Sequence, residues 1–211
     1  GYHGAKMSRY QDVIDRYLSS NDEAVLDMLN TRYLILPGAD GRPEAHLRAT
    51  AQGAAWLVRD VVTASTPQQE LAALATADLR RQAVVNPADY ARMTGAREGA
   101  LPAVDTLGGT IRLPNYRKYE YPSAAPATAV FSEIFYDKGW TAWVDGVETP
   151  YFRADYLLRA LELPAGDHTV EWRFRAPHWG AVEGVTGLCS AAILLLIAGL
   201  AAAEWYKRKK R

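Results

Sequence analysis

Residues 140–152 read WTAWVDGVETPYF, two runs rich in aromatic and β-branched residues on either side of Asp145-Gly146. Asp-Gly between such runs marks a two-residue type I′ hairpin, because both central residues of that turn need positive φ. The spacing predicts strands over Trp140–Val144 and Val147–Phe152. Working outward, Ile111–Tyr121, Ala129–Tyr136, Leu157–Leu163 and Thr169–Arg175 have strand composition, and Pro164-Ala165-Gly166-Asp167 turns the last pair. In the final strand Val170, Trp172 and Phe174 alternate with Thr169, Glu171, Arg173 and Arg175, one buried face against one wet face. The pattern predicts an antiparallel β-sandwich over 110–178.

Upstream, residues 1–109 predict a small α/β portion. Met7, Tyr10, Ile14, Tyr17 and Leu18 share one face of a helix over 5–19. Ser20 and Glu23 have the spacing of a capping box for a helix over 22–30. Strands follow near 31–36 and 55–62, with Pro37-Gly38 opening a turn-rich loop through Pro43. Thr66-Pro67 with Gln69 starts a helix over 67–77 that turns Leu71 and Leu74 inward. Gly, Ala and Pro then dominate 86–109, which reads as a long loop with room for one short element.

Downstream, Glu183 and Glu204 bracket a stretch without charge, and residues 184–203 read GVTGLCSAAILLLIAGLAAA. As a helix those residues would span about 30 Å, the thickness of a bilayer core. They are apolar all round, unlike the single stripe of an amphipathic helix. Trp179 precedes the run, and Trp205 and Tyr206 follow it, where interfacial aromatics are expected. A transmembrane helix over 179–206 is predicted, with membrane lipid as its partner. Lys207, Arg208, Lys209, Lys210 and Arg211 would form a basic cytoplasmic tail, leaving residues 1–178 extracytoplasmic. Gly184, Gly187 and Ser190 or Ala191 would permit close packing on other transmembrane helices. Cys189 inside the run reads as apolar filler. The fold class is therefore α+β: a small α/β N-terminal portion, an antiparallel β-sandwich and one C-terminal transmembrane helix.

Composition narrows the function. The 211 residues hold 24 basic and 24 acidic side chains, so no overall nucleic-acid footprint exists. Removing the basic tail leaves 19 basic against 24 acidic residues over 1–206. One cysteine excludes an intrachain disulfide framework and a Cys-based zinc cluster. His3, His46, His168 and His178 are far apart, so no metal site is expected, and no phosphate-loop, dinucleotide or Gly-x-Ser-x-Gly motif points to a cofactor or a serine nucleophile. The chain opens on Gly1, as expected for a processed protein or a piece of a longer one.

Two sets of side chains invite a functional reading. Glu133, Asp137, Asp145, Glu148 and Asp155 lie in one stretch, and paired carboxylates can cleave glycosidic bonds. Asp145 is already explained by its turn, however. Glu133, among Val130, Phe131, Ile134 and Phe135, calls for a structural hydrogen-bond partner. No catalytic residue is assigned. The aromatics between Tyr116 and Tyr156 are the stronger signal, since a ring with a polar edge stacks well on sugar. Most would fill the sandwich core. Tyr136 and Trp140, flanking a turn, are the candidates for carbohydrate contact.

Four blocks carry a family resemblance: GYHGAKMSRYQDVIDRYL at 1–18, VLDMLNTRYLI at 25–35, AWLVRDV at 55–61, and the run from Phe131 to Phe174. Within the last, Gly139-Trp140, Asp145-Gly146 and Pro164-Ala165-Gly166-Asp167-His168 are the most specific elements. In their order, and in the helix that follows, they resemble the C-terminal part of YfhO-type bacterial membrane proteins. The resemblance implies a GT-C-like glycosyltransferase of the bacterial cytoplasmic membrane. Such an enzyme takes sugar from a polyprenyl-phosphate donor and modifies cell-surface glycopolymers such as teichoic acids. This stretch would then be a non-catalytic accessory region beside the parent's other transmembrane helices. The family's catalytic acid lies in an early extracytoplasmic loop to which no position here corresponds. The alternative is a stand-alone membrane-anchored module that binds carbohydrate or protein. A sortase substrate is a third reading, opposed by Arg175-Ala176-Pro177-His178-Trp179-Gly180, where a Leu-Pro-x-Thr-Gly element would be needed.

Overall fold

The computed structural model describes residues 7–58, 60–91, 108–123 and 126–210. Helix α1 (Ser8–Arg16) buries Val13, a 3-10 turn occupies Leu18–Ser20, and α2 (Glu23–Met28) buries Val25, Leu26 and Met28. Strands β1 (Tyr33–Pro37) and β2 (Pro43–Leu47) make a hairpin, followed by β3 (Ala55–Val58) and β4 (Asp60–Thr63). Next come α3 (Pro67–Ala73), β5 (Gln82–Val85), α4 (Pro87–Ala91), β6 (Gly108–Leu113) and β7 (Tyr116–Ser123). Strands β8 (Ala127–Ile134), β9 (Trp140–Val144), β10 (Val147–Thr149) and β11 (Phe152–Ala154) precede β12 (Leu158–Leu163) and β13 (Gly166–Phe174). Helix α5 (Trp179–Lys209) follows.

The fold is α+β, with layers set by a six-stranded sheet of order β3-β8-β12-β11-β5-β4. One face packs on a five-stranded sheet of order β10-β9-β13-β7-β6, where Tyr119, Val144, Val170 and Trp172 meet Leu57, Ala129, Phe131 and Leu161. The other face is covered by the helices, where Val13, Val25, Met28 and Leu74 meet Trp56, Val58, Val130 and Leu158. Alternate residues of β3 therefore serve two cores, Ala55 and Leu57 one, Trp56 and Val58 the other. A strand covered on both faces reads as an unbroken apolar run, which is why residues 55–58 show no alternation. Phe131 joins the sheets edge-on to both Tyr119 and Trp172, with ring centroids 5.1 Å apart in each pair. Strands of the middle sheet come from both sides of residue 109, and residues up to Phe174 form one unit.

Several predicted elements differ. The strand expected over 55–62 is two: β3 pairs with β8, while β4 pairs in parallel with β5, a strand of four residues that composition did not reveal. Because β3 and β4 are successive segments, the hydrogen-bonded order returns to the stretch it starts from. The strand expected over 111–121 is the β6–β7 hairpin, turning at Pro114-Asn115, and that over 147–152 splits at Pro150 between the two sheets. Proline has no N–H to continue a ladder. Pro43 begins β2 instead of ending a loop. Asp22 caps α2 by accepting from Val25 N, whereas Ser20 donates its hydroxyl to Tyr17 O, so the Ser20–Glu23 box does not form. Thr66 caps α3 through Gln69 N as expected, but the helix ends at Ala73 and continues to 77 as hydrogen-bonded turns. The helix over 5–19 starts at Ser8 and breaks at Tyr17; residues 5 and 6 lie outside the described residues. The loop over 86–109 contains α4 and the start of β6, and its residues 92–107 also lie outside them.

Helix α5 belongs to a second unit, Arg175–Arg211. Its 31 residues reach a mean hydropathy of 2.3 over the most apolar window, with none of that window buried, so it is long and apolar enough to cross a membrane. It continues past the predicted end at 206, and Lys209 and Lys210 lie 5.2 Å and 4.8 Å over the rings of Trp205 and Tyr206.

The β11–β12 turn has an uncommon backbone. Asp155 and Tyr156 both take positive φ, 49° and 68°, which costs non-glycine residues about 1–2 kcal/mol each. Asp155 offsets that cost by completing the pairing of Val84: its N–H donates to Val84 O at 2.7 Å, and its carboxyl accepts from Val84 N at 2.8 Å. Complete burial pushes the Asp155 carboxyl up from 3.8 to about 7, against the pull of the Val84 N–H toward the charged form. The folded state thus holds a proton that the unfolded chain releases near pH 4, so this residue's contribution to stability falls as pH rises from about 4 to 7. Asp155→Asn is expected to gain in thermal midpoint over the parent across that window and hold the gain above it; a pH-independent difference between the two proteins would contradict this.

Candidate functional site

Of the sequence-predicted residues, Glu133, Tyr136 and Trp140 come together around Arg159 and Tyr151. Glu133 on β8 accepts from Arg159 Nη2 at 2.7 Å and from Arg117 Nε at 2.8 Å, linking β12 of one sheet to β7 of the other. Arg159 is only 2% exposed. Its guanidinium lies 4.2 Å from the Trp140 ring centroid and 4.7 Å from that of Trp172. Two π faces and one carboxylate thus replace the water such a cation loses. Burial lowers the Arg159 pKa, and Glu133 opposes that shift by favouring the charged form.

Around this charge the aromatics form a bracket. Trp140 also meets Phe174 at 5.3 Å, and Tyr151 stands edge-on to Trp172 at 4.9 Å. The Tyr151 hydroxyl donates to Tyr136 O at 3.0 Å and Trp140 O at 3.3 Å, pinning the loop before β9 from both ends. Burial raises the Tyr151 pKa and keeps the phenol a donor. A pocket of about 530 Å³ opens beside the bracket, lined by Trp140, Thr141, Glu148, Pro150 and Tyr151.

Tyr136 is exposed near the bracket, whereas Trp140 is half-buried because Arg159 occupies one of its faces. Tyr151, Thr141 and Glu148 were not singled out as contacts, yet the register implied by Asp145-Gly146 locates them. Pairing Val144 with Val147, Trp143 with Glu148 and Ala142 with Thr149 sets residues 149–151 opposite 140–142. Asp145 and Gly146 take φ 50° and 80°, as the type I′ turn requires.

Three of the five carboxylates have structural partners. Glu133 holds two arginines. Asp145 accepts from Thr169 N at 2.8 Å and pairs with His168 Nδ1 at 2.5 Å, contacts that lower its pKa and raise that of His168. Asp155 is buried in its turn, and Asp137 and Glu148 are exposed. Among the described residues no group of three or more His, Cys, Asp or Glu could hold a metal ion. Compared with protein-family models, curated proteins and solved structures, the chain matches none.

The Glu133–Arg159 pair can be tested directly. Removing one member of a buried ion pair strands the other, at a cost of roughly 3 kcal/mol. Glu133→Gln is expected to lose about that much stability in thermal or chemical melts. Arg159→Met in the same background should restore part of it. Strictly additive losses in this double-mutant cycle would show that the two side chains do not act as a pair.

Proposed function

We propose that this chain is a non-catalytic, membrane-anchored module that holds a carbohydrate chain outside the cytoplasm. In this reading it is the accessory region of a YfhO-like glycosyltransferase of the bacterial cytoplasmic membrane. That enzyme would draw sugar from a polyprenyl-phosphate donor for transfer to a cell-surface glycopolymer. The observation that carries the proposal is the open pocket at the aromatic bracket, lined by Trp140 and Tyr151 together with Thr141 and Glu148. Rings with adjacent hydrogen-bonding groups suit a sugar, which presents apolar C–H faces and polar edges.

Three further features support it. Glu133 and Asp145 are engaged in structural contacts, as suits a binding surface. Helix α5 is long and apolar enough to anchor the chain, and its basic end favours the cytoplasmic side. The four blocks resembling YfhO-type proteins run along nearly the whole chain. The stand-alone binding module remains the second reading, favoured by residues up to Phe174 forming one unit with their own cores.

Full-length protein in detergent or nanodiscs is to be probed with a glycan array and with isolated cell-surface glycopolymers. Loss of one stacking contact is worth about 1 kcal/mol, or roughly five-fold in affinity. Tyr136→Ala and Glu148→Gln are each expected to weaken glycan retention by about that factor while leaving the melting profile intact. Trp140→Ala should weaken retention and also lower stability, because its ring covers Arg159. Unchanged retention in both surface variants would remove the rim from the binding reading.

A further inference from the structure

The β1–β2 hairpin stands apart from both large sheets, pairing only with itself among the described residues. Its register sets Tyr33 beside Leu47, Ile35 beside Ala45 and Pro37 beside Pro43, so these six side chains share one face. That face carries no charge, and its members are exposed, Ile35 at 73% and Leu47 at 63%. The opposite face holds Leu34, Leu36, Glu44 and His46, and beyond them Arg48. Arg48 donates to Asp27 on α2 at 2.7 Å and ties the base of the ribbon to the folded unit, while Leu36, Glu44 and His46 farther along are exposed. Isolated two-stranded ribbons are marginal in water, so an exposed apolar face calls for a cover.

We propose that this hairpin lies on the bilayer, its Tyr33–Ile35–Leu47 face set among the lipid headgroups and upper acyl chains. The inference rests on the membrane anchorage proposed above, and not on the carbohydrate reading. Only residues 175–178 separate β13 from α5, so an anchored chain keeps lipid at high effective concentration around the folded unit. Six side chains fall well short of the 20–30 residues per side of a stable protein interface, whereas a fluid bilayer needs no matching shape. Pro37 and Pro43 lack N–H groups at the turn end of the ribbon, which opposes growth by strand addition from another chain. A tyrosine on such a face belongs at headgroup depth.

The test uses the full chain with Cys189→Ala, in nanodiscs of mixed phosphatidylcholine and phosphatidylglycerol. An environment-sensitive fluorophore is attached at Ile35→Cys, at Leu47→Cys or, on the other face, at Glu44→Cys. The proposal expects blue-shifted emission at the first two positions and quenching there by a spin label carried high on the lipid chain, with neither at the third. Water-like emission at both Ile35 and Leu47 overturns it. So does a blue shift that the lipid-borne quencher leaves untouched, which would put a second copy or another protein on this face. Flotation of the unlabelled chain with vesicles checks anchorage separately: a chain that floats while the Ile35 and Leu47 labels report water sinks the hairpin proposal alone, and a chain that stays at the bottom sinks both.

Discussion

A sheet with two apolar faces has to be covered twice, and that requirement organises residues 8–174. The six-stranded sheet cannot stay in water on either side. Trp56, Val130 and Leu158 need the helices, and Leu57, Phe131 and Leu161 need the second sheet. Neither cover is self-sufficient. Helix α1 is nine residues long and α2 six, too short to persist in water without a packed face. The five-stranded sheet likewise depends on Phe131 to fill the space between Tyr119 and Trp172.

At the rim, where the two sheets part, the structure admits a charge. Arg159 lies in a strand buried at all but one position and is kept there by Glu133, Trp140 and Trp172 together. Such a cation is a poor source of net stability, because desolvation opposes the attraction gained. It does fix geometry: the planar guanidinium accepts one arrangement of rings and carboxylate, and the Trp140 ring is held accordingly. If the rim binds the proposed carbohydrate, rings ordered in this way would lower the entropic cost of holding it.

Much of this was legible in the residues. Asp145-Gly146 announced its turn because few dipeptides tolerate that backbone, and Gly184–Ala203 announced its helix because a charge-free run of that length has few other uses. Pro114 and Pro150 also carried their message, and reading strands through them produced two of the errors. What stayed hidden was partnership. Hydropathy shows that Ala55–Val58 is buried, yet not that the chain changes neighbours immediately afterwards, and the four residues of β5 have no periodicity long enough to detect. At the site, Tyr136 and Trp140 stood out as aromatics near a turn. The ring face lost to Arg159 did not, because that contact joins positions 19 residues apart through tertiary packing.

The return of the middle sheet to residues 55–63 also governs how the chain is made. Ala55 pairs with Phe131 and Asp155 completes Val84, so the early strands find their neighbours only in segments translated much later. A nascent chain emerging N-terminus first would carry Trp56, Val58 and the apolar faces of its first helices unsheltered until β8 and β12 arrive. Biogenesis, more than the finished architecture, is therefore where this protein would most need a chaperone's company.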